Sequence, residues 1–239
     1  MRQWQPDRTA AIICDMWDRI QCRSAAGRVA ELAPHMNKVV GTLRAAGSLI
    51  IHAPSMCMDF YEDTPGRRRA VTAPTHASPV PFDWQDWNPD HEAPLSLVTS
   101  YDEPCSCDTA TPCCSLDGPH PWTQQTPEIE IAEPDAISDD GQEIFNLLNQ
   151  YAIDLVVLMG VHANRCVLGR PFGIRQLVYL EQPVILCRDL TDSYHRESGG
   201  QWAGNAQVIE HIERHWCATV TSDQLIGGQP FRFNGESGA

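Results

Sequence analysis

Apolar residues recur along this chain in short blocks separated by amphipathic stretches, and the two patterns alternate. The runs Thr9–Cys14, Ser48–His52, Glu128–Ala132, Leu155–Met159, Pro183–Cys187 and Ala218–Thr221 predict strands. Leu155–Met159 contains only Leu, Val and Met, with no polar alternation, which is the pattern of a parallel strand covered on both faces. Between these blocks, Ala25–Ala46 carries Val29, Leu32, Met36, Val39, Val40 and Leu43 at helical spacing, with Arg28, Glu31, Lys38 and Arg44 suited to a solvated face. Gly47 ends that helix. Ser138-Asp139-Asp140 reads as the cap of a helix over Gly141–Gln150. A further helix starts near Cys166, and another spans Ala203–Trp216 with Val208, Ile209 and Ile212 inward. Strands alternating with helices predict one α/β domain over residues 1–239, a three-layer Rossmann-like fold. Its central sheet is expected to be mostly parallel, with helices on both faces.

One stretch breaks the alternation. From about residue 54 to 127 the chain becomes a long irregular insert rich in Pro, Cys and Trp, and most of the 18 prolines lie between Pro54 and Pro134. Its aromatics, among them Phe60, Trp84 and Trp87, need a surface to pack on, so it reads as a lid or subunit contact that shapes specificity. Four of the ten cysteines, Cys105, Cys107, Cys113 and Cys114, crowd into CSCDTATPCC. That spacing fits a zinc knuckle poorly and leaves disulfides, a weak structural metal site or free thiols open. Cys14, Cys187 and Cys217 fall in or beside apolar strands and read as core thiols. Arg67-Arg68-Arg69 reads as a solvated charge run.

The formal charge of −14 disfavours nucleic acid and anionic membrane surfaces as partners. No apolar run approaches the roughly 18 residues that span a bilayer. The N-terminus enters the first strand without a basic-then-apolar leader, so the expectation is a cytoplasmic protein. No Walker or dinucleotide glycine motif is present, and no organic cofactor is expected.

Two strand ends carry the candidate chemistry. Asp15 follows the first strand, at the edge where open α/β sheets bind ligands; its alternative role is to cap the next turn. Cys166 follows the Leu155–Met159 strand, where the first turn of a helix favours thiolate and offers N–H groups to an oxyanion. The plainer alternative is a buried cysteine acting as a small hydrophobe. If both strands are central, the carboxylate reaches the thiol. His52, His162, Trp17, Gln124 and Arg170 are further pocket candidates, His162 with a bracing role as its alternative. Asp189 and Asp192 read as turn or cap residues.

These residues carry a resemblance. AIICDMWD (11–18), DAISDDGQEIFNLL (135–148), LVVLMGVHANRCVLGRPFGIRQL (155–177) and VILCRDLTDS (184–193) resemble, in order and spacing, the isochorismatase-like cysteine hydrolases, the superfamily of nicotinamidases and related small amidases. The resemblance implies Asp15 as general base and Cys166 as nucleophile. It also implies an oxyanion hole from the backbone of Ala163 and Cys166, beside a cis-type peptide near Val161–His162. A homo-oligomer acting on a small molecule is implied as well. Nicotinamidase-type metal ligands after the second strand are absent from Ala53–Cys57, so no catalytic metal is expected.

The chain departs from the family at the lysine that precedes its DA element. Lys38, the sole lysine, lies in the first predicted helix, and the family position falls at Ile131 or Gln124. A helix N-terminus, Arg165, Arg170 or His162 would have to supply the positive charge. The expected activity is hydrolysis of an amide or ureide C–N bond through a thioester. The alternatives are a catalytically impaired protein that binds a small ligand or serves in assembly, and a thiol-redox role for CSCDTATPCC.

Overall fold

Every residue of strand β1 (Thr9–Cys14) is buried, as is every residue of β2 (Leu49–Ala53). Successive strand residues point to opposite faces, so unbroken burial means that both faces are covered. The computed structural model describes residues 5–95, 120–194 and 201–236. Within it, β3 (Ala136–Ile137), β4 (Leu155–Val161), β5 (Val184–Asp192) and β6 (Thr219–Val220) complete a six-stranded sheet of order β3-β2-β1-β4-β5-β6. All five neighbouring pairs are parallel.

Helix α1 (Arg23–Ala45) buries the apolar stripe read from the sequence, and the Cys22 thiol at its N-cap accepts from the Ala25 amide. Helix α4 (Gly141–Gln150) follows the expected cap, and α6 (Gln201–His215) stands where periodicity placed it. In α6, Val208 and Ile212 are buried and Ile209 is half-buried. A last short helix, α7 (Ser222–Ile226), packs against α1. No helix among the described residues is long and apolar enough to cross a membrane.

Three expectations need correction. Glu128–Ala132 is not a strand, because its amides are spent locally. Ile129 N–H donates to Thr126 O (3.2 Å), Glu130 N–H to Asn37 Oδ1 (3.0 Å) and Ala132 N–H to Asp135 Oδ2 (2.8 Å). Pairing with β2 begins only past Pro134, at Ala136. Strand β5 also runs beyond Cys187: its register against β4 shifts between Leu158 and Gly160, and the ladder resumes at Thr191 and Asp192. The arginine run, finally, lies in a short helix, α3 (Pro65–Val71), that follows α2 (Met58–Tyr61). There Arg67 pairs with Glu143 of α4, and Arg69 reaches the Asp135 carbonyl, so two of the three arginines fasten the helix down.

The insert is docked as well as irregular. Glu92 is buried and accepts from Arg175 Nη2 (2.6 Å), His211 Nε2 (2.6 Å) and Trp216 Nε1 (2.7 Å). These partners hold the Glu92 carboxyl below its ordinary range against the opposing effect of burial. Cys105, Cys107, Cys113 and Cys114 lie outside the described residues, so the structure leaves their state open.

Candidate active site

Strand order reverses direction of growth between β1 and β4, since β2 and β3 lie to one side and β5 and β6 to the other. Such a switch point opens a crevice at the C-terminal ends of the two central strands. Asp15 leaves β1 there, and Cys166 leaves β4 beside it. The two strands come unusually close at Gly160 (φ 116°), where a Cβ would stand 2.0 Å from the Cys14 carbonyl oxygen; only glycine fits.

Asp15 is fully buried and adopts a left-handed φ of 50°, a conformation that Asp tolerates better than most residues. Its Oδ1 accepts from the Ser55 amide (2.8 Å) and its Oδ2 from Arg170 Nε (2.9 Å). The Cys166 side chain is hydrogen-bonded to the same carboxylate. Burial, then the Asp15 charge, pushes the Cys166 thiol up to about 12, with Arg170 opposing. The resting sulfur is therefore a protonated thiol held against a carboxylate. This corrects the expectation of a helix-stabilised thiolate.

The local backbone explains the difference. Ala163–Val167 forms a five-residue π-helical turn, closed by Val167 N–H to His162 O (3.2 Å), and it follows a cis peptide at Val161–His162. The helix expected from Cys166 stops at Gly169-Arg170-Pro171, because Pro171 has no N–H to continue it. A regular helix, α5, starts only at Ile174 and ends at Tyr179. Cys166 thus sits on a broken turn with little accumulated dipole. Ala163 and Cys166 share that turn.

The break also positions a cation. Arg170, four residues past Cys166, reaches back to Asp15. Burial, the largest single effect, works against its charge, but the surrounding groups, Asp15 foremost, together raise the guanidinium pKa. Trp84 of the insert covers it: the Arg170 and Arg165 guanidinium carbons lie 5.6 and 5.9 Å from the indole centroid. Gly169 allows the approach, since a Cβ there would meet the Trp84 ring at 2.8 Å.

Most other pocket candidates stand apart from this cluster, and Trp17 meets it only through backbone groups of Asp15 and Ser55. His52 is fully buried; its Nδ1 meets Gln125 Oε1 at 2.9 Å and its Nε2 meets Asp135 Oδ2 at 3.0 Å, so it joins a bracing network instead. Trp17 is a core residue, stacked on Trp122 with ring centroids 4.1 Å apart and donating from Nε1 to Ser55 O. Gln124 exchanges backbone contacts with Asp18, and Ile131 packs against the core. His162 is fully buried, and burial, reinforced by Arg28 and Arg165, pulls its imidazole down to about 3. It is neutral near pH 7 and cannot stand in for the missing lysine. Asp192 pairs with Arg28 (2.8 Å), while Asp189 accepts from the Ser222 and Phe231 amides, a bracing role for each.

Two groups near Asp15 were not singled out in the sequence: the Ser55 amide and Asp139. Asp140 alone caps α4, by accepting from the Glu143 amide (2.9 Å), and Asp139 turns to the Met56 amide (2.8 Å). Three capping residues in a row for one cap was the available signal. Among the described residues, no group of three or more His, Cys, Asp or Glu is arranged to hold a metal.

No protein-family model and no curated protein sequence matches the chain. Solved structures do. A cysteine hydrolase from Pseudomonas syringae pv. phaseolicola superposes with a TM-score of 0.57 at 16% identity, covering 94% of each chain. An isochorismatase from Pseudomonas putida gives 0.55 at 10% identity, covering 94% of this chain and 93% of its own. An isochorismatase-like hydrolase from Alkaliphilus metalliredigens gives 0.50 at 15% identity, covering 92% and 94%. Their sheet and its surrounding helices are the ones described above, and this chain has the isochorismatase-like fold.

Proposed function

We propose that the protein is a cysteine-dependent hydrolase that cleaves a C–N bond of a small amide or ureide through a thioester. One observation carries the reading: a buried thiol hydrogen-bonded to a carboxylate that is itself ion-paired to an arginine. As Cys166 Sγ attacks the carbonyl carbon, its proton passes to Asp15 and the carbonyl electron pair moves onto oxygen. The amides of Ala163 and Cys166 would receive that oxyanion. Collapse breaks the C–N bond, and the departing nitrogen takes the proton from Asp15. Water then gives a proton to Asp15, its oxygen attacks the thioester, and Sγ leaves and recovers the proton. A protonated resting thiol suits this sequence, because the base needs a proton to collect.

Arg170 is assigned the role that the family gives its lysine. It stays charged and lies against Asp15, where charge changes at each transfer. The test is ammonia or amine release from a panel of small neutral amides and ureides, with intact mass measured after acid quench. Wild type is expected to turn over at least one compound and to show an acyl mass on the peptide containing Cys166, and Cys166→Ala neither. No turnover, no adduct and no reaction of Cys166 with iodoacetamide would overturn the reading.

A further inference from the structure

Two successive amides in the loop after β2 each hold a carboxylate. Ser55 N–H donates to Asp15 Oδ1 and Met56 N–H to Asp139 Oδ2, both at 2.8 Å. Met56 is left-handed, with φ 66°, and successive amides in such a turn form a concave anion-binding nest. The two acids are thereby brought to one corner of the crevice, although they come from the ends of different strands, β1 and β3. Asp139 feels the charges of Asp15 and Arg170, and Cys57 in turn feels that of Asp139.

The two carboxylates differ in what remains available. Asp15 is fully buried, and its charge is matched by Arg170 at 2.9 Å. Asp139 is half-buried and does not cap α4. Burial and the neighbouring Asp15 both raise its carboxyl, so the site gains by offering it a donor. Arg170, committed to Asp15 and covered by Trp84, is poorly placed to greet an anion. Among the described residues Asp139 forms no ion pair, so an arriving molecule meets a carboxylate that no cation holds.

We infer that Asp139 determines specificity at this site, favouring substrates that bring N–H donors or positive charge to the Asp15–Cys166 pair and rejecting those that bring a carboxylate. The inference rests on reading Cys166 as the reacting atom, and it adds the substrate class: neutral or cationic nitrogen compounds, not amides of anionic acids.

Two alkylating probes of nearly equal size test it without knowledge of the substrate. Iodoacetamide carries N–H donors and iodoacetate carries a carboxylate. Labelling of Cys166 by each is followed by peptide mass spectrometry, with glutathione giving the intrinsic ratio. Wild type is expected to prefer iodoacetamide by about tenfold beyond glutathione, the scale of one nearby charge partly shielded from water. Asp139→Asn keeps an oxygen for the Met56 amide and so keeps the loop; its preference is expected to fall to the glutathione ratio. Asp139→Glu is expected to restore part of it. Equal ratios in wild type and Asp139→Asn, with labelling proceeding, would overturn the inference and leave the hydrolase reading standing. Inertness of Cys166 to both probes would remove both.

Discussion

Two buried carboxylate–arginine pairs flank β2, one just after β1 and one just before β3, and only one of them includes a thiol. Asp135 accepts from Arg44 Nε and Nη2 (2.9 and 2.6 Å), from the Ala132 amide and from His52. Asp15 accepts from one amide and from a single arginine nitrogen, and its remaining partner is a thiol. The Asp135 donors are fixed by geometry and charge. The thiol proton of Cys166 can cross to its acceptor and leave a nucleophile behind. A buried ion pair is therefore not itself a mark of chemistry; the mark is an exchangeable proton among otherwise committed partners.

Substitutions can sharpen or break that contrast. Asp15→Asn removes the proton acceptor while keeping hydrogen-bonding shape. It is expected to lower kcat by about a thousandfold or more, as loss of a general base does, in steady-state assays on whichever amide is turned over. A rate within tenfold of wild type would mean that the two pairs do not differ as described. Arg170→Gln is expected to lower kcat by about a hundredfold, the cost of one well-placed charge. Because Arg170 opposes the upward push on the Cys166 thiol, alkylation of that thiol at pH 8 should slow as well.

Asp135→Asn should act on stability instead. Burial alone would raise the Asp135 carboxyl, but His52 and Arg44 hold it down to about 2. Against an unfolded value of about 3.9, the depression corresponds to about 2 to 3 kcal/mol of folding free energy. That contribution is complete above pH 4 and is lost as pH falls toward 2. Denaturant unfolding should show wild type more stable by about this amount at pH 7, with the gap closing between pH 4 and 2. The kcat at pH 7 should change less than about twofold; a larger fall would draw the His52–Asp135 pair into the reaction.

The sheet was legible because its evidence is local. Unalternated apolar runs gave β1 and β4, helical stripes gave α1 and α6, a run of capping residues gave α4, and Asp15 and Cys166 follow from which strands are central. What resisted reading depends on where single amides go. Nothing in EIEIAEP says that Ile129, Glu130 and Ala132 spend their N–H groups off the ladder. The sequence shows Pro171, yet it does not show that the broken helix swings Arg170 onto Asp15. Arg170 stood among several possible cations; burial takes the charge from His162, and the contact with Asp15 singles out Arg170. Asp139 was hidden by a plausible duty at a helix cap that its neighbour Asp140 performs.

In the family that this sequence resembles, the cation is a lysine ahead of the DA element. Here the proposed cation, Arg170, lies four residues behind the sulfur on one uninterrupted piece of chain. Thiol and guanidinium thus keep their spacing whatever happens across the opening, and the stretch preceding β3 is released from supplying a charged side chain. The insert then meets this unit from outside, anchored through Glu92 and resting Trp84 on the arginine.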